Sequence, residues 1–280
     1  MSLSLAISPC PNDTFTFHAL VHGLVPGAPA FDVTYADVDV TNTAALDGRF
    51  DLVKVSYAAL PWLLDQYALL PCGGALGRGC GPLVLVADGS ESAAGGGGPE
   101  RLAGATVAVP GDRTTAYLLF RLWSAGVEPA KIEIVPFHEI MPGVAAGRFD
   151  AGLVIHEARF TYPRYGLTSL VDLGEWWEGH TGHPIPLGAI LAHRERVDPA
   201  AATEWVRASV RHAWAHPAAS EDYVISHAQE MEPDVVARHI ALYVNNFTED
   251  LGPEGYAAIT DLLTRAAAGG LVPPPPPGAI

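Results

Sequence analysis

The sequence predicts an α/β protein made of two lobes of similar topology around a central cleft. Three observations support this prediction. Short apolar segments alternate with helical segments over residues 3–156, the tetrapeptide Gly48–Asp51 recurs as Gly147–Asp150 in the same context, and the chain after Gly188 is almost wholly helical. A chain of 280 residues, 49% of them hydrophobic, is long enough and apolar enough to build two cores.

The first predicted unit begins as β-α-β. Its strands are short and apolar or alternate between apolar and polar residues, and we predict them at Leu3–Ser8, Phe31–Val40, Asp51–Ser56 and Leu83–Ala87. Its helices are predicted at Thr14–Gly23, which ends on a glycine, and at Ala44–Asp47, for which Thr41, Asn42 and Thr43 offer caps.

The second predicted unit repeats this order after the Gly- and Ser-rich loop 88–103. Its strands are predicted at Ala105–Val109, Lys131–Pro136 and Ala151–His156, and its helices at Thr114–Ala125 and Ile140–Ala146. The carboxyl ends of the aligned strands deliver Ser56 and Tyr57 in one lobe and Ile155 and His156 in the other. Ligands of open α/β sheets bind at such strand ends.

The C-terminal part of the chain changes character. One strand is predicted at Leu187–Ala192, followed by helices at Pro199–His216, Ala219–Met231, Pro233–Tyr243 and Pro253–Ala268. This helical segment predicts a return to the first lobe, which would then be discontinuous, 1–87 plus 193–280, around a continuous second lobe, 104–190. Residues 273–280 form a Pro-rich tail of expected polyproline character.

Charge and cysteine content exclude several classes of function. A formal charge of −15 without any Lys/Arg cluster argues against nucleic-acid binding. The first residues, MSLSLAISPCPND, lack the features of a signal peptide or a membrane span, so a cytoplasmic protein is expected. Cys10, Cys72 and Cys80 are odd in number and lack CxxC spacing, which favours buried or loop thiols over disulfides or a thiolate zinc site.

Candidate ligand-binding groups of the first lobe follow its strands. In the segment from Ser8 to Thr14, the side chains of Asn12, Asp13 and Thr14 either cap the first helix or stand where its N–H groups face an anionic substrate. Lys54 lies inside an apolar strand and either faces solvent or requires a carboxylate, a carbonyl or a substrate anion as partner. In the Gly-rich segment 73–82, Arg78 belongs to an ordinary loop or offers a fork to a carboxylate.

The second lobe offers equivalent groups. Thr114 and Thr115, between a strand and a helix, either cap the helix or hold an anionic or polar group. His156 at the end of the strand AGLVI is a structural histidine or a base, and Glu157 and Arg159 beside it could tune the imidazole.

A metal site is not predicted. His180 and His183 lie in the segment EWWEGHTGHP, which is rich in loop residues and has no third imidazole at a zinc spacing. Trp176 and Trp177 of this segment are expected to wall a cleft or to fill a core.

Several segments together resemble the 1,4-dihydroxy-6-naphthoate synthase family of the futalosine-dependent menaquinone route. They are SPCPNDTFTFHAL, GRFDLVKVSYAALPWLLDQYALLPCGGALGRGCGPL, VAVPGDRTTAYLL, FHEIMPGVAAGRFDAGLVIHEARFTYPRYGL and VDLGEWWEGHTGHPIPLGAI. The likeness runs from Ser4 to about Ile190, and the helical tail adds little. The departures are the Gly-rich insert around residues 95–98 and the Pro-rich end.

The resemblance implies a fold like that of type II periplasmic binding proteins and an enzyme without metal or cofactor. The implied reaction converts cyclic dehypoxanthine futalosine, a small anionic aromatic substrate, into 1,4-dihydroxy-6-naphthoate with release of dihydroxyacetone. By the same resemblance the base is His156, and the substrate contacts fall on Lys54, Val55, Ser56, Thr114 and Thr115.

Two alternatives of the same fold remain at this stage. A non-catalytic solute-binding or sensor protein would bind without turnover, and the lack of an export signal and the presence of a histidine at the expected cleft count against it. The sibling chorismate dehydratase is disfavoured by the SPCPND and RFTY segments.

Overall fold

The computed structural model describes residues 2–90, 97–228, 232–278 and 280. The chain divides into unit 1, Met1–Gly77 with Pro186–Ile280, and unit 2, Arg78–Ile185. Residues 91–96 of the predicted loop 88–103 lie outside the described residues, and Pro99–Leu102 near its end forms a 3₁₀ turn.

Unit 1 contains one mixed sheet and the C-terminal helices. Its strands are β1 Leu3–Ile7, β2 Phe31–Tyr35, β3 Leu52–Ser56, β4 Tyr67–Leu69, β5 Ala75–Gly77 and β11 Ile185–His193. Its helices are α1 Pro11–Val21, α2 Val38–Leu46, α3 Leu60–Leu63, α8 Pro199–Ala215, α9 Glu221–His227, α10 Pro233–Tyr243, α11 Asn246–Glu249 and α12 Gly252–Ala268.

Unit 2 contains a second mixed sheet. Its strands are β6 Leu83–Ala87, β7 Thr106–Val109, β8 Lys131–Ile134, β9 Ala151–Val154 and β10 Leu167–Asp172. Its helices are α4 Thr115–Trp123, α5 Phe137–Ala145, α6 Ala158–Thr161 and α7 Leu173–Thr181.

The two sheets have the same topology. In unit 1 the order is β2-β1-β3-β11-β4, and in unit 2 it is β8-β7-β9-β6-β10. The first three strands of each order are parallel, and the fourth is antiparallel to its neighbours. The predicted pair of α/β lobes of like topology is confirmed at the level of strand order and direction.

The repeated tetrapeptide has the same structure in both units. Gly48 and Gly147 follow α2 and α5 with φ of 63° and 71°, the left-handed conformation that ends a helix. The next residue in each, Arg49 or Arg148, stacks its guanidinium on a buried phenylalanine ring.

The aspartate that closes each tetrapeptide ties its strand to the parallel neighbour. Asp51 Oδ2 accepts the main-chain N–H of Ser4 in β1 at 2.8 Å, and Asp150 Oδ2 accepts that of Thr106 in β7 at 2.8 Å. The sequence repeat is therefore a structural repeat.

The structure corrects the sequence prediction at residues 38–40, at Asn42 and at the strand Leu83–Ala87. Residues 38–40, predicted as the end of a strand, begin α2, because Asp37 is extended and serves as the N-cap residue. Asn42 therefore lies inside this helix, and its side chain forms hydrogen bonds with Ser56 of β3. The strand Leu83–Ala87, assigned to the first lobe, pairs with β9 and β10 in the sheet of unit 2.

Helix α7 contains most of the segment EWWEGHTGHP, which was expected to be rich in loop structure. Asp172 caps it by accepting the N–H groups of Gly174 and Glu175 at 2.8 and 3.2 Å, and Gly182 follows it with φ of 72°. An N-cap aspartate three residues before a glutamate, with a glycine at the far end, was the available signal. Trp177 of this helix is buried and donates its indole N–H to Pro184 O at 3.1 Å, so it fills the core.

Candidate active site

The carboxyl ends of β1 and β3 lie at one edge of the unit 1 sheet. Ala6 pairs with Val53, so the turn that begins at Ser8 and the end of β3, which carries Lys54 and Ser56, leave the sheet together. Lys54 is 7% exposed and Asp13, in the first turn of α1, is 1% exposed. The predicted strand lysine is therefore buried, and the solvent-facing alternative is wrong.

Asp13 is the partner of Lys54. Its Oδ1 forms an ion pair with Lys54 Nζ and accepts the Asn12 amide at 2.8 Å. Its Oδ2 accepts the main-chain N–H of Ser8 at 3.1 Å and the Ser8 hydroxyl at 2.6 Å. A buried pair of charges is tolerated when additional hydrogen bonds satisfy the carboxylate, as they do here.

Asn12, Asp13 and Thr14 do not occupy the N-cap position of α1, because the helix begins at Pro11 and contains them. Cys10 occupies the N-cap position and its side chain makes no capping hydrogen bond, and Thr14 donates its hydroxyl back to Cys10 O at 3.1 Å. Asn12 Oδ1 accepts a hydrogen bond from His239 Nε2 of α10 at 2.9 Å, where the imidazole is also buried. The segment thus links β1, β3 and the C-terminal helices.

Ser56 is held by a residue that the sequence analysis treated only as a cap. Asn42 of α2 accepts the Ser56 N–H at 2.7 Å and donates to Ser56 Oγ at 3.1 Å. Side chains alternate along a strand, so Val55 points to the face opposite Lys54 and Ser56. A ligand bound by the side chains of Lys54 and Ser56 could therefore contact Val55 only through its main chain.

Two neighbours complete this edge of unit 1. Gly188 of β11 pairs with Ser56, and a Cβ there would lie 2.9 Å from Lys54 Cε, so the lysine occupies the space that a side chain would fill. Burial, with Tyr256 and Cys72 nearby, raises the pKa of the Tyr57 phenol far above its usual range, which keeps it neutral.

The equivalent edge of unit 2 carries the threonine pair and the histidine. Ala108 of β7 pairs with Gly152 of β9, so the turn to α4 and the residues after β9 leave the sheet together. Thr114 is the N-cap of α4: its hydroxyl accepts the Tyr117 N–H at 3.1 Å and donates to Gly111 O at 2.9 Å. Thr115 follows as the first residue of the helix and is buried.

His156 has an unusual backbone. Its φ of 55° is the one positive value among the described non-glycine residues of the chain. A non-glycine residue in the left-handed region is uncommon, and such residues cluster at functional sites. The imidazole is half-buried and makes an edge-on contact with the Phe137 ring at 5.4 Å between centroids. Glu157, which follows it, is buried.

Arg78 and Arg159 make contacts within unit 2. Arg159 donates to Gly81 O at 2.8 Å and to Asp172 Oδ2 at 2.5 Å, which joins three segments. Arg78 is exposed, donates to Gly182 O at 2.9 Å and lies 3.8 Å from a Glu178 oxygen. Both guanidinium groups thus interact with protein groups around α7.

The three cysteines are free and buried, as predicted. Burial raises the pKa of the Cys72 and Cys80 thiols to about 12, so both are protonated and unreactive at neutral pH. His180, the exposed candidate metal ligand, hydrogen-bonds through Nδ1 to Trp176 O at 2.8 Å.

Comparison with known proteins identifies the family. A family model described as "Menaquinone biosynthesis" matches residues 3–268. A 1,4-dihydroxy-6-naphthoate synthase of Streptomyces coelicolor is 60% identical over 271 residues, which cover 95% of this chain and 93% of that protein. The chain belongs to this family. A synthase of the same name from Thermus thermophilus is 48% identical over 268 residues, which cover 95% and 94% of the two chains.

Solved structures share the fold. Protein AF1704 from Archaeoglobus fulgidus superposes with a TM-score of 0.87 at 29% identity, over 97% of this chain and 98% of that one. A Candida albicans protein with the generic periplasmic binding protein fold gives 0.72 at 10% identity, over 98% and 91% of the chains. The predicted periplasmic-binding-protein-like fold and the predicted enzyme of menaquinone biosynthesis are both confirmed. Among the described residues, no helix has the length and apolar character to cross a membrane.

Proposed function

We propose that this member of the menaquinone biosynthesis family is a carbon–carbon lyase that converts cyclic dehypoxanthine futalosine to 1,4-dihydroxy-6-naphthoate and dihydroxyacetone. The names of the two relatives support the product, and His156 supports the chemistry. The observation that carries the proposal is the left-handed backbone of His156, two residues after the end of β9, because strain of this kind persists where a side chain must point in one required direction.

His156 acts in this proposal as the general base. A neutral imidazole accepts a proton near physiological pH and contributes about 10²–10⁴-fold to such a step. Loss of the proton starts the cleavage, a three-carbon fragment leaves, and the remaining ring system becomes aromatic, which drives the reaction. Neither proton transfer nor cleavage of this kind requires a metal or a nicotinamide.

Lys54 and Ser56 of unit 1 and Thr114 and Thr115 of unit 2 bind the substrate in this proposal. The chain carries a charge of −15, so an anionic substrate must be held by local groups. Lys54 is the buried cation at its edge, and within the described part of the chain Asp13 is its one hydrogen-bond acceptor. Two of its three N–H donors are therefore free for a bound carboxylate.

Turnover by the purified protein tests the proposal. Incubation with cyclic dehypoxanthine futalosine should yield 1,4-dihydroxy-6-naphthoate and dihydroxyacetone in equal amounts, and chorismate should remain unchanged. The rate should survive exhaustive treatment with EDTA. Binding without turnover would contradict the proposal, and a rate that EDTA abolishes and one divalent ion restores would redirect attention to His180 and His183.

A further inference from the structure

A buried chain of hydrogen bonds connects the C-terminal helices to Lys54. His239 of α10 donates from Nε2 to Asn12 Oδ1 at 2.9 Å. Asn12 Nδ2 donates to Asp13 Oδ1 at 2.8 Å, and the same oxygen pairs with Lys54 Nζ. All four residues are less than 9% exposed. The chain thus joins α10, α1 and β3 inside unit 1.

Charge determines the direction of every link. An ionised carboxylate only accepts hydrogen bonds, so Asn12 turns its NH₂ group to Asp13 and its carbonyl oxygen to His239. That oxygen also only accepts, which requires a proton on His239 Nε2. The Asp13 charge therefore orients the amide and selects the protonated nitrogen of the imidazole.

We propose that His239 is a positioning residue for substrate binding. By holding the Asn12 amide it fixes the Asp13 carboxylate, and the carboxylate fixes the direction of the Lys54 ammonium. This inference rests on the proposed role of Lys54 in binding the substrate anion. It assigns a part in substrate recognition to α10, a helix whose sequence shows no functional motif.

Helix packing alone does not require this imidazole. Val236 of α10 already belongs to one buried apolar cluster with Phe15 of α1, Val224 and Val244. An apolar residue at position 239 could extend that contact without burying ring nitrogens, which is costly unless they are bonded. We therefore attribute this chain of hydrogen bonds to the positioning of Lys54, the residue at its other end.

Three variants test the proposal. His239→Leu removes the donor, His239→Gln keeps an amide N–H of similar reach, and Val236→Ala weakens the packing of the same helix. His239→Leu should raise KM and the product Kd roughly 3- to 10-fold with kcat nearly unchanged, as expected for one lost hydrogen bond. His239→Gln should restore most of the affinity. Val236→Ala should lower Tm and leave both constants unchanged.

The same substitutions made in a Lys54→Met protein distinguish a failure of the proposed role of His239 from a failure of the proposed anion site at Lys54. There His239→Leu should have no further effect on product Kd, because the group that it positions is gone. An equal effect in both backgrounds, or no effect of His239→Leu where Lys54→Met weakens binding, would overturn the role of His239 alone. If Lys54→Met itself leaves binding unchanged, the proposed anion site fails, and the inference about His239 fails with it.

Discussion

β3 and β9 occupy equivalent places in the two sheets and follow the same tetrapeptide, yet their ionisable residues stand at different positions. Aligned on Asp51 and Asp150, Lys54 corresponds to the buried Leu153. Three residues further along the chain, the buried phenol of Tyr57 corresponds to the half-buried His156. One topology therefore supports a charge inside a strand in unit 1 and a titratable group just beyond a strand in unit 2.

The difference teaches how each group is held in place. The Lys54 ammonium is fixed by side chains, because Asp13 pairs with it and is itself anchored by Ser8 and Asn12. The His156 imidazole is directed by its main chain, which adopts a left-handed conformation. A pre-organised buried charge suits binding, whereas a half-buried imidazole suits proton exchange.

The largest expected effect is that of His156→Asn. Asparagine tolerates the left-handed region, so the variant should fold and bind product normally. Its single-turnover rate should fall about 10²- to 10⁴-fold, because the base is gone. The wild-type rate should also decline as the pH falls through the range in which imidazole is protonated.

His180→Asn is the matched control for that variant. It removes an exposed imidazole from the same unit and should leave the rate nearly unchanged. A folded His156→Asn enzyme with near-normal rate would remove His156 from the mechanism, and a lowered Tm with a normal rate per folded molecule would make it structural.

Lys54→Met should weaken substrate binding by about 1.5–3 kcal/mol, the value of a hydrogen bond to a charged group. It should also destabilise unit 1, because Asp13 would remain buried without its partner. Adding Asp13→Asn should recover stability without recovering affinity. Calorimetry of product binding and urea unfolding measure the two effects separately.

Leu153→Met provides the control at the equivalent position of β9. It conserves volume and should cost less than about 1.5 kcal/mol of stability, with binding unchanged. Equal losses of affinity in the two variants would mean that the strand position, rather than the charge, matters.

Thr115→Val should produce a smaller loss of affinity. The substitution keeps the shape of the side chain and removes the hydroxyl, so product Kd should rise by the equivalent of about 0.5–1.5 kcal/mol, a neutral hydrogen bond. If product titrations show no change for both Thr115→Val and Lys54→Met, the assignment of the substrate contacts is wrong.

The smallest effects concern the repeated aspartates and stability alone. Asp51 accepts two hydrogen bonds from Ser4 and lies 3.2 Å from an Arg196 nitrogen, whereas Asp150 accepts one from Thr106. Asp51→Ala should therefore cost about 2 kcal/mol of unfolding free energy and Asp150→Ala about 1. If Asp150→Ala lowers the denaturant midpoint more than Asp51→Ala does, the number of these contacts does not determine how much each aspartate stabilises the protein.

Local patterns predicted most elements of this fold. The bounds of Leu83–Ala87 and Pro233–Tyr243 agree with the structure, because apolar runs and a proline at the first helical position are strong local signals. The prediction of a strand at residues 38–40 was wrong because Val-Asp-Val alternates between apolar and polar residues as a strand does. In the structure Asp37 is the N-cap residue of a helix that begins at Val38. The strand β10, Leu167–Asp172, was not predicted, since its short polar-apolar pattern stands out only when it pairs with β6.

The sequence by itself determined the α/β class, the two-fold repeat, the family and the strand ends at which Lys54 and His156 stand, because periodicity and motifs are local properties. Only the tertiary structure decided that Asp13 neutralises Lys54, that Asn42 holds Ser56, and that His239 reaches the first helix. Those contacts join residues 41, 14 and 227 positions apart, and such partners are selected by sheet register and helix packing. The strand assignment of Leu83–Ala87 to unit 2 has the same cause, since a strand joins the sheet whose edge it can pair with.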